Sequence, residues 1–178
     1  FFLFFPMPSP HTPIAPSVDF QGVTGISDYA DFLVETDWAV GEVLRAISES
    51  GQFERTVVFF TADNVTSPKA DFPKLAEQGV HLNENWRGWK ADAFEGGHRV
   101  PFIVRWPGVT RPGTRSRQTI VLTDILATCA DLLDFELPAN AAEDSVSLKP
   151  WLAGPGPARP LHDGVVDQSS EGHLAVGK

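Results

Sequence analysis

With 178 residues, 42% of them hydrophobic and 21% charged, the chain is long enough to bury one core and has no polar or repetitive run that would keep it disordered. Its net charge of −9 excludes nucleic acid as a general partner, because duplex binding needs a basic face to displace counterions, and disfavours an anionic membrane surface. Cys129 is the only cysteine, so no internal disulfide forms.

In chain order, Phe1-Phe2-Leu3-Phe4-Phe5 reads as a buried β-strand. It is too short for a membrane helix and lacks the basic start of a signal peptide. Both chain ends read as cuts. Pro6, Pro8, Pro10 and Pro13 then forbid a helix and impose a stiff, extended loop around His11. Ser27 caps an expected helix from about Asp28 to about Ser50, with Tyr29, Phe32, Leu33, Val40, Val43, Leu44 and Ile47 on one face and Gly51 as its stop. Thr56 to Thr61 is a β-branched and aromatic run, the pattern of a strand covered on both faces.

An irregular stretch follows, with a weak helical signal from Phe72 to Gln78. Val100 to Trp106 reads as a second buried strand closed by Pro107-Gly108. Thr119 to Leu122 reads as a third, leading into a helix capped by Thr123 or Asp124 with Ile125, Leu126, Cys129, Leu132 and Leu133 inward. Beyond a Gly/Pro-rich stretch, short strands are expected near Leu161 to Val166 and His173 to Val176. Buried strands alternating with amphipathic helices imply an α/β layered fold with a largely parallel sheet flanked by helices. Residues 1–154 form the main unit, and residues 155–178 a linker and the start of a small hairpin region.

Three places carry candidate chemistry. Asp63-Asn64 follows a buried strand, where ligand sites of open α/β sheets form. A carboxylate beside a carboxamide suits Ca²⁺ or Mg²⁺ more than zinc, although an Asx turn explains the same pair. The stretch Trp86 to Pro101 gathers Arg87, Lys90, His98 and Arg99 with Gly88, Gly96 and Gly97 in an otherwise acidic chain. Such a loop suits a tetrahedral oxyanion, its glycines letting backbone approach a ligand; a salt-bridged surface loop is the alternative. His11 is either a rigidly presented acid/base group or an inert loop histidine. His81, His162 and His173 read as structural or exposed.

Taken together these pieces resemble the sulfatase family of the alkaline-phosphatase-like superfamily. Thr61-Ala62-Asp63-Asn64 resembles its T-x-D-N-G strand end, Arg87-Gly88-Trp89-Lys90 its R-G-x-K, and Glu95 through Gly108 its E-G-G-x-R-V-P-F-I-V-R-W-P-G block. Leu122 to Thr128 resembles L-T-D-x-x-P-T, Pro10-His11-Thr12-Pro13 the family's P-H-x-P, and Leu174 to Lys178 the start of its C-terminal hairpin. The resemblance implies an incomplete alkaline-phosphatase-like fold and a sulfuric ester hydrolase that releases an alcohol and sulfate. It implies that Asp63 and Asn64 bind one Ca²⁺ (Mg²⁺ as second choice), that Lys90 contacts the sulfate oxygens, and that His11 contacts sulfate or the bridging oxygen and protonates the leaving alcohol. For His98 it implies at most a substrate-side contact.

Family chemistry uses a formylglycine made within C/S-x-P/A-x-R. Cys129 is followed by Ala-Asp-Leu-Leu and does not match. The nucleophile and an early Asp pair are therefore expected upstream of Phe1, and the chain alone is expected to be inactive. Val65 stands where the family has glycine. The resemblance implies a periplasmic, secreted or lysosomal setting. Expected partners are a sulfate-ester small molecule or a sulfated sugar, with no nucleic acid and no membrane. Phe72 to Asn85 is expected to help shape the alcohol pocket. A phosphoesterase of the same superfamily and a non-catalytic binder of sulfated glycans are the competing readings.

Overall fold

The computed structural model describes residues 1–84 and 86–177. Asn85 and Lys178, at the ends of two stretches named above, lie outside the described residues. Helix α1 spans Asp28–Glu49. The Ser27 side chain accepts from the Ala30 N–H at 3.2 Å, satisfying one of the orphan donors of the first turn, and Gly51 ends the helix at φ +71°. Strand β1 is Val58–Thr61. Thr56, expected within it, is held instead in the preceding turn, its hydroxyl donating to the Gln52 carbonyl at 2.8 Å. Helices α2 (Phe72–Glu77) and α3 (Glu95–His98) precede strand β2 (Phe102–Arg105). Helices α4 (Asp124–Leu132) and α5 (Lys149–Leu152) lead to strands β3 (Val165–Gln168) and β4 (Leu174–Gly177).

The expected parallel pairing is not what the described residues show. β1 pairs with β2 antiparallel, Val58 facing Arg105 and Thr61 facing Phe102. β3 and β4 form a separate antiparallel hairpin with Val165 opposite Gly177. In the first ladder the exit of β1 therefore sits beside the entrance of β2. Asp63-Asn64 and the segment ending in Arg99-Val100-Pro101 share one end of the sheet for that reason alone.

Two expected strands are absent among the described residues. Phe1 to Phe5 is extended and exposed, with Phe2 at 84%, because nothing described offers its backbone a ladder. Thr119 to Leu122 does not pair because the Val121 N–H donates to the Asp124 carboxylate at 2.9 Å.

The apolar face expected on α4 is only partly inward, with Ile125, Cys129 and Leu132 half-buried. Asp124, Thr128 and Ala130 are buried, whereas Leu126 and Leu133 are exposed. The helix docks through polar contacts on the segment 145–148. Asp124 accepts from the N–H groups of Val121 and Val146, each at 2.9 Å, and contacts His162 Nε2 at 2.9 Å. The Thr128 hydroxyl donates to the Asp124 carbonyl and accepts from the Leu148 N–H.

A small core of Tyr29, Ala70 and Leu75, flanked by Ile14, Ile26, Val80 and Leu82, joins α1 to the segment after β1. Asp31 is buried on α1 and closes the loop before it, accepting from the N–H groups of Gly22 and Thr24 and from the Thr24 hydroxyl. The hydroxyl contributes most to holding the carboxyl below the usual carboxylate range, and the Thr24 and Gly22 amides add to it. A carboxylate depressed in the folded state stabilises fully above its unfolded pKa of about 4, and that stabilisation fades as pH falls through the folded value. Asp31→Asn should therefore flatten the acid limb of a stability–pH profile. Urea midpoints of both proteins between about pH 7 and pH 3 check this, and parallel profiles would refute it.

Candidate active site

At the exit of β1, Asp63 is exposed and its Oδ1 accepts from the Asn64 N–H at 2.9 Å and from Asn64 Nδ2 at 3.1 Å. This local turn leaves Asp63 Oδ2 and Asn64 Oδ1 without protein partners among the described residues. Both are hard oxygens of the kind Ca²⁺ and Mg²⁺ take. They fit as part of a ligand set, since Ca²⁺ takes about six to eight oxygens. Among the described residues no group of three or more His, Cys, Asp or Glu could hold a metal. Val65 is not among the residues with positive φ, so the turn does not require the glycine that usually follows.

The chain then runs to Thr66, whose carbonyl accepts from the Lys90 N–H at 3.0 Å. This bond joins the Asp63-Asn64 segment to the basic loop. Within that loop the other basic side chains each have a neighbour. The Arg87 guanidinium lies 3.8 Å from the centre of the Phe94 ring, and Arg99 lies over Trp86 at 4.4 Å while pairing with Glu95 at 2.8 Å. His98 Nε2 stands 3.3 Å from the Asp167 carboxylate on β3. Lys90 has no side-chain hydrogen bond or ion pair among the described residues. It is half-buried and lines a cleft of about 380 Å³.

The glycines act differently from expectation. A Cβ on Gly96 would come within 2.4 Å of the Gly88 carbonyl, and one on Gly97 within 2.0 Å of the Asp92 carbonyl. They let α3 lie against the backbone of residues 87–92 rather than against a ligand. The Gly96 N–H donates to Arg87 O at 2.8 Å, and Asn83 Nδ2 donates to Gly88 O at 2.6 Å. Directly after Lys90, Ala91 adopts φ +86°, a conformation costly for a residue with a Cβ.

His11 is exposed, and its Nδ1 donates to the Thr12 carbonyl at 2.8 Å, which leaves Nε2 free. It flanks a small pocket with Tyr29, Ser67 and Lys69, on the segment that follows Asp63-Asn64. His11 and Lys90 thus border two separate pockets. His11 flanks residues of the stretch that follows Asp63-Asn64, Lys90 is joined to that stretch through the Thr66 carbonyl, and His98 turns toward the C-terminal hairpin. Lys69 was not legible from the sequence, because nothing in Ser67-Pro68-Lys69 marks it. Burial raises the Cys129 thiol above its ordinary value, the reverse of what an activated nucleophile needs.

A likeness to known proteins accompanies this geometry. A solved structure from work on the metabolism of multiple glycosaminoglycans by Bacteroides thetaiotaomicron superposes with a TM-score of 0.85 at 31% identity, over 97% of this chain and 36% of the other. The fold is accordingly alkaline-phosphatase-like α/β, of which this chain forms an incomplete portion. The sequence profile named Sulfatase matches residues 1–135, and the chain belongs to the sulfatase family. Steryl-sulfatase of the rat, Rattus norvegicus, is 36% identical over 154 residues, 86% of this chain and 26% of that protein. N-acetylgalactosamine-6-O-sulfatase of B. thetaiotaomicron is 33% identical over 150 residues, 82% of this chain and 29% of that protein. The chain thus spans between a quarter and a third of the length of these two relatives. No helix among the described residues is long and apolar enough to cross a membrane.

Proposed function

We propose that this chain is the sulfate-binding portion of a sulfate monoester hydrolase. The observation that carries the reading is Lys90. Among the described residues it has no side-chain partner and is the basic loop's lysine or arginine that lines the cleft. Arg99 pairs with Glu95, Arg87 stacks on Phe94 and His98 faces Asp167. An ammonium group held this way neutralises the oxygens of a tetrahedral dianion or monoester at little reorganisation cost. His11, with Nε2 free, contacts sulfate or the bridging oxygen and delivers a proton to the departing alcohol. His98 keeps Nε2 beside Asp167, while its Nδ1 is buried without a partner among the described residues.

Asp63 and Asn64 serve in this reading as two ligands of one Ca²⁺, with Mg²⁺ as second choice. A divalent ion held there would supply positive charge that favours an ionised attacking hydroxyl. The formylglycine nucleophile belongs to the same reading and to residues other than these. So do the sulfated small-molecule or sugar substrate, the division of the chain at residue 154, and a periplasmic, secreted or lysosomal setting; the last rests on family resemblance only.

The test is direct binding of inorganic sulfate by calorimetry. Lys90→Ala should weaken it by about ten- to a hundredfold, the value of one charge-assisted hydrogen bond, and Lys90→Arg should recover part of the loss. An unchanged affinity in Lys90→Ala would remove the basis of the reading.

A further inference from the structure

The cleft that holds Lys90 has a second wall, and that wall is the β3–β4 turn: Ser169, Glu171 and His173 face Trp89 and Lys90 across it. The turn is tied to the rest of the chain at two points and braced internally at a third. Its Ser170 N–H donates to the carbonyl of the strained Ala91 at 2.9 Å, and Asp167 on β3 faces His98. The Ser169 hydroxyl accepts from the N–H groups of Glu171 and His173 at 3.3 and 3.0 Å. The backbone of the turn is thereby held, while the Glu171 carboxylate and the His173 imidazole have no side-chain partners among the described residues. Both residues are exposed at the cleft, and Trp89 opposite them is 48% exposed.

We infer that this turn selects the alcohol: Glu171 and His173 hydrogen-bond the free hydroxyls of a sulfated sugar, with Trp89 against its apolar face and Lys90 on its sulfate. The inference rests on the proposed function and names its substrate class. A carboxylate and an imidazole at the rim of a cleft of about 380 Å³ lose their hydration when a flat apolar alcohol covers them, and such an alcohol returns nothing. A sugar replaces that water with its own hydroxyls, and an indole face suits the C–H side of its ring. Sites built to hydrogen-bond a hydroxyl reject ligands that lack it more strongly than apolar pockets reject added groups.

Calorimetric titration of the whole chain with three probes tests this: N-acetylgalactosamine 6-sulfate, a steryl sulfate and inorganic sulfate. The double variant Glu171→Ala/His173→Ala should bind the sugar sulfate at least about tenfold more weakly while inorganic sulfate affinity stays within about twofold. Because both positions are exposed, the variant retains its fold, which circular dichroism verifies. Unchanged sugar-sulfate affinity would overturn the inference. So would equal weakening of sugar sulfate and inorganic sulfate, since the turn would then only be bracing the Lys90 loop. Preference of the unsubstituted chain for the steryl sulfate would overturn it as well. Loss confined to these outcomes leaves the Lys90 reading standing, whereas an unsubstituted chain that binds no inorganic sulfate overturns the proposed function and this inference together.

Discussion

Gly97→Ala should destabilise the protein by about 3 kcal/mol, the upper end of ordinary overpacking costs, and abolish measurable sulfate binding. The added Cβ would lie 2.0 Å from the Asp92 carbonyl oxygen and 2.8 Å from its carbonyl carbon. Both are backbone atoms, so no rotamer change relieves the clash. Either α3 withdraws or residues 89–92 move, and Lys90 moves with them. For a chain of this size the expected loss in melting temperature is about 6–12 °C. Gly41→Ala is the matched control: Gly41 lies inside α1 with nothing within 4 Å of the added Cβ, so it should gain about 0.5–1 kcal/mol from helix propensity. Thermal unfolding followed by circular dichroism, with sulfate titration alongside, checks both. A Gly97→Ala protein melting with the unsubstituted chain would show that the 87–92 loop is not braced by α3.

Asp124→Ala should cost about 3–5 kcal/mol, as expected when one partner of a buried charged network is removed. Asp124 is fully buried, and its carboxylate serves the N–H groups of Val121 and Val146 and the His162 ring. Alanine leaves two backbone donors and an imidazole, itself 13% exposed, without an acceptor. Asp124→Asn should cost less, because the carboxamide oxygen can still serve one backbone donor. A double-mutant cycle with His162→Ala separates the imidazole contact from the two amide contacts, since directly bonded residues show non-additive losses. Urea unfolding of the four proteins reads the result. Additive losses would show that the imidazole contact does not hold 161–162, and a cost below about 1 kcal/mol for Asp124→Ala would show that the segments 121–124 and 145–148 are held by something else.

Ser27 and Gly51 bound α1 within a residue of expectation, because caps act through bonds to residues a few positions away. Strand β2 and strand β4 appear close to their expected places, whereas β3 begins at Val165, four residues beyond the expected Leu161. The inward face of α4 was only partly legible. Its leucines signal burial, yet Asp124 and Thr128 are the buried side chains, because their partners stand some 20 or more residues ahead at Val146, Leu148 and His162. No periodicity within a helix reports an acceptor that distant donors require.

At the site, the sequence by itself determined the chemical types: a hard-oxygen pair after a strand, a cationic glycine-bearing loop, and a histidine in a proline-stiffened segment. It also determined the family, because the Glu95–Gly108 block is long and the order of the other motifs agrees with it. The resemblance already assigns Lys90 to the sulfate; the tertiary structure adds that Arg87 stacks on Phe94 and Arg99 pairs with Glu95, while the Lys90 ammonium has no partner among the described residues. Only the tertiary structure decided that Gly96 and Gly97 serve packing rather than ligand approach, and that His173 faces Lys90 across a cleft. Antiparallel pairing of β1 with β2 brought the exit of one strand to the entrance of the other. Strand pairing is a long-range choice made by backbone hydrogen bonds, and residue type along either strand leaves its direction open.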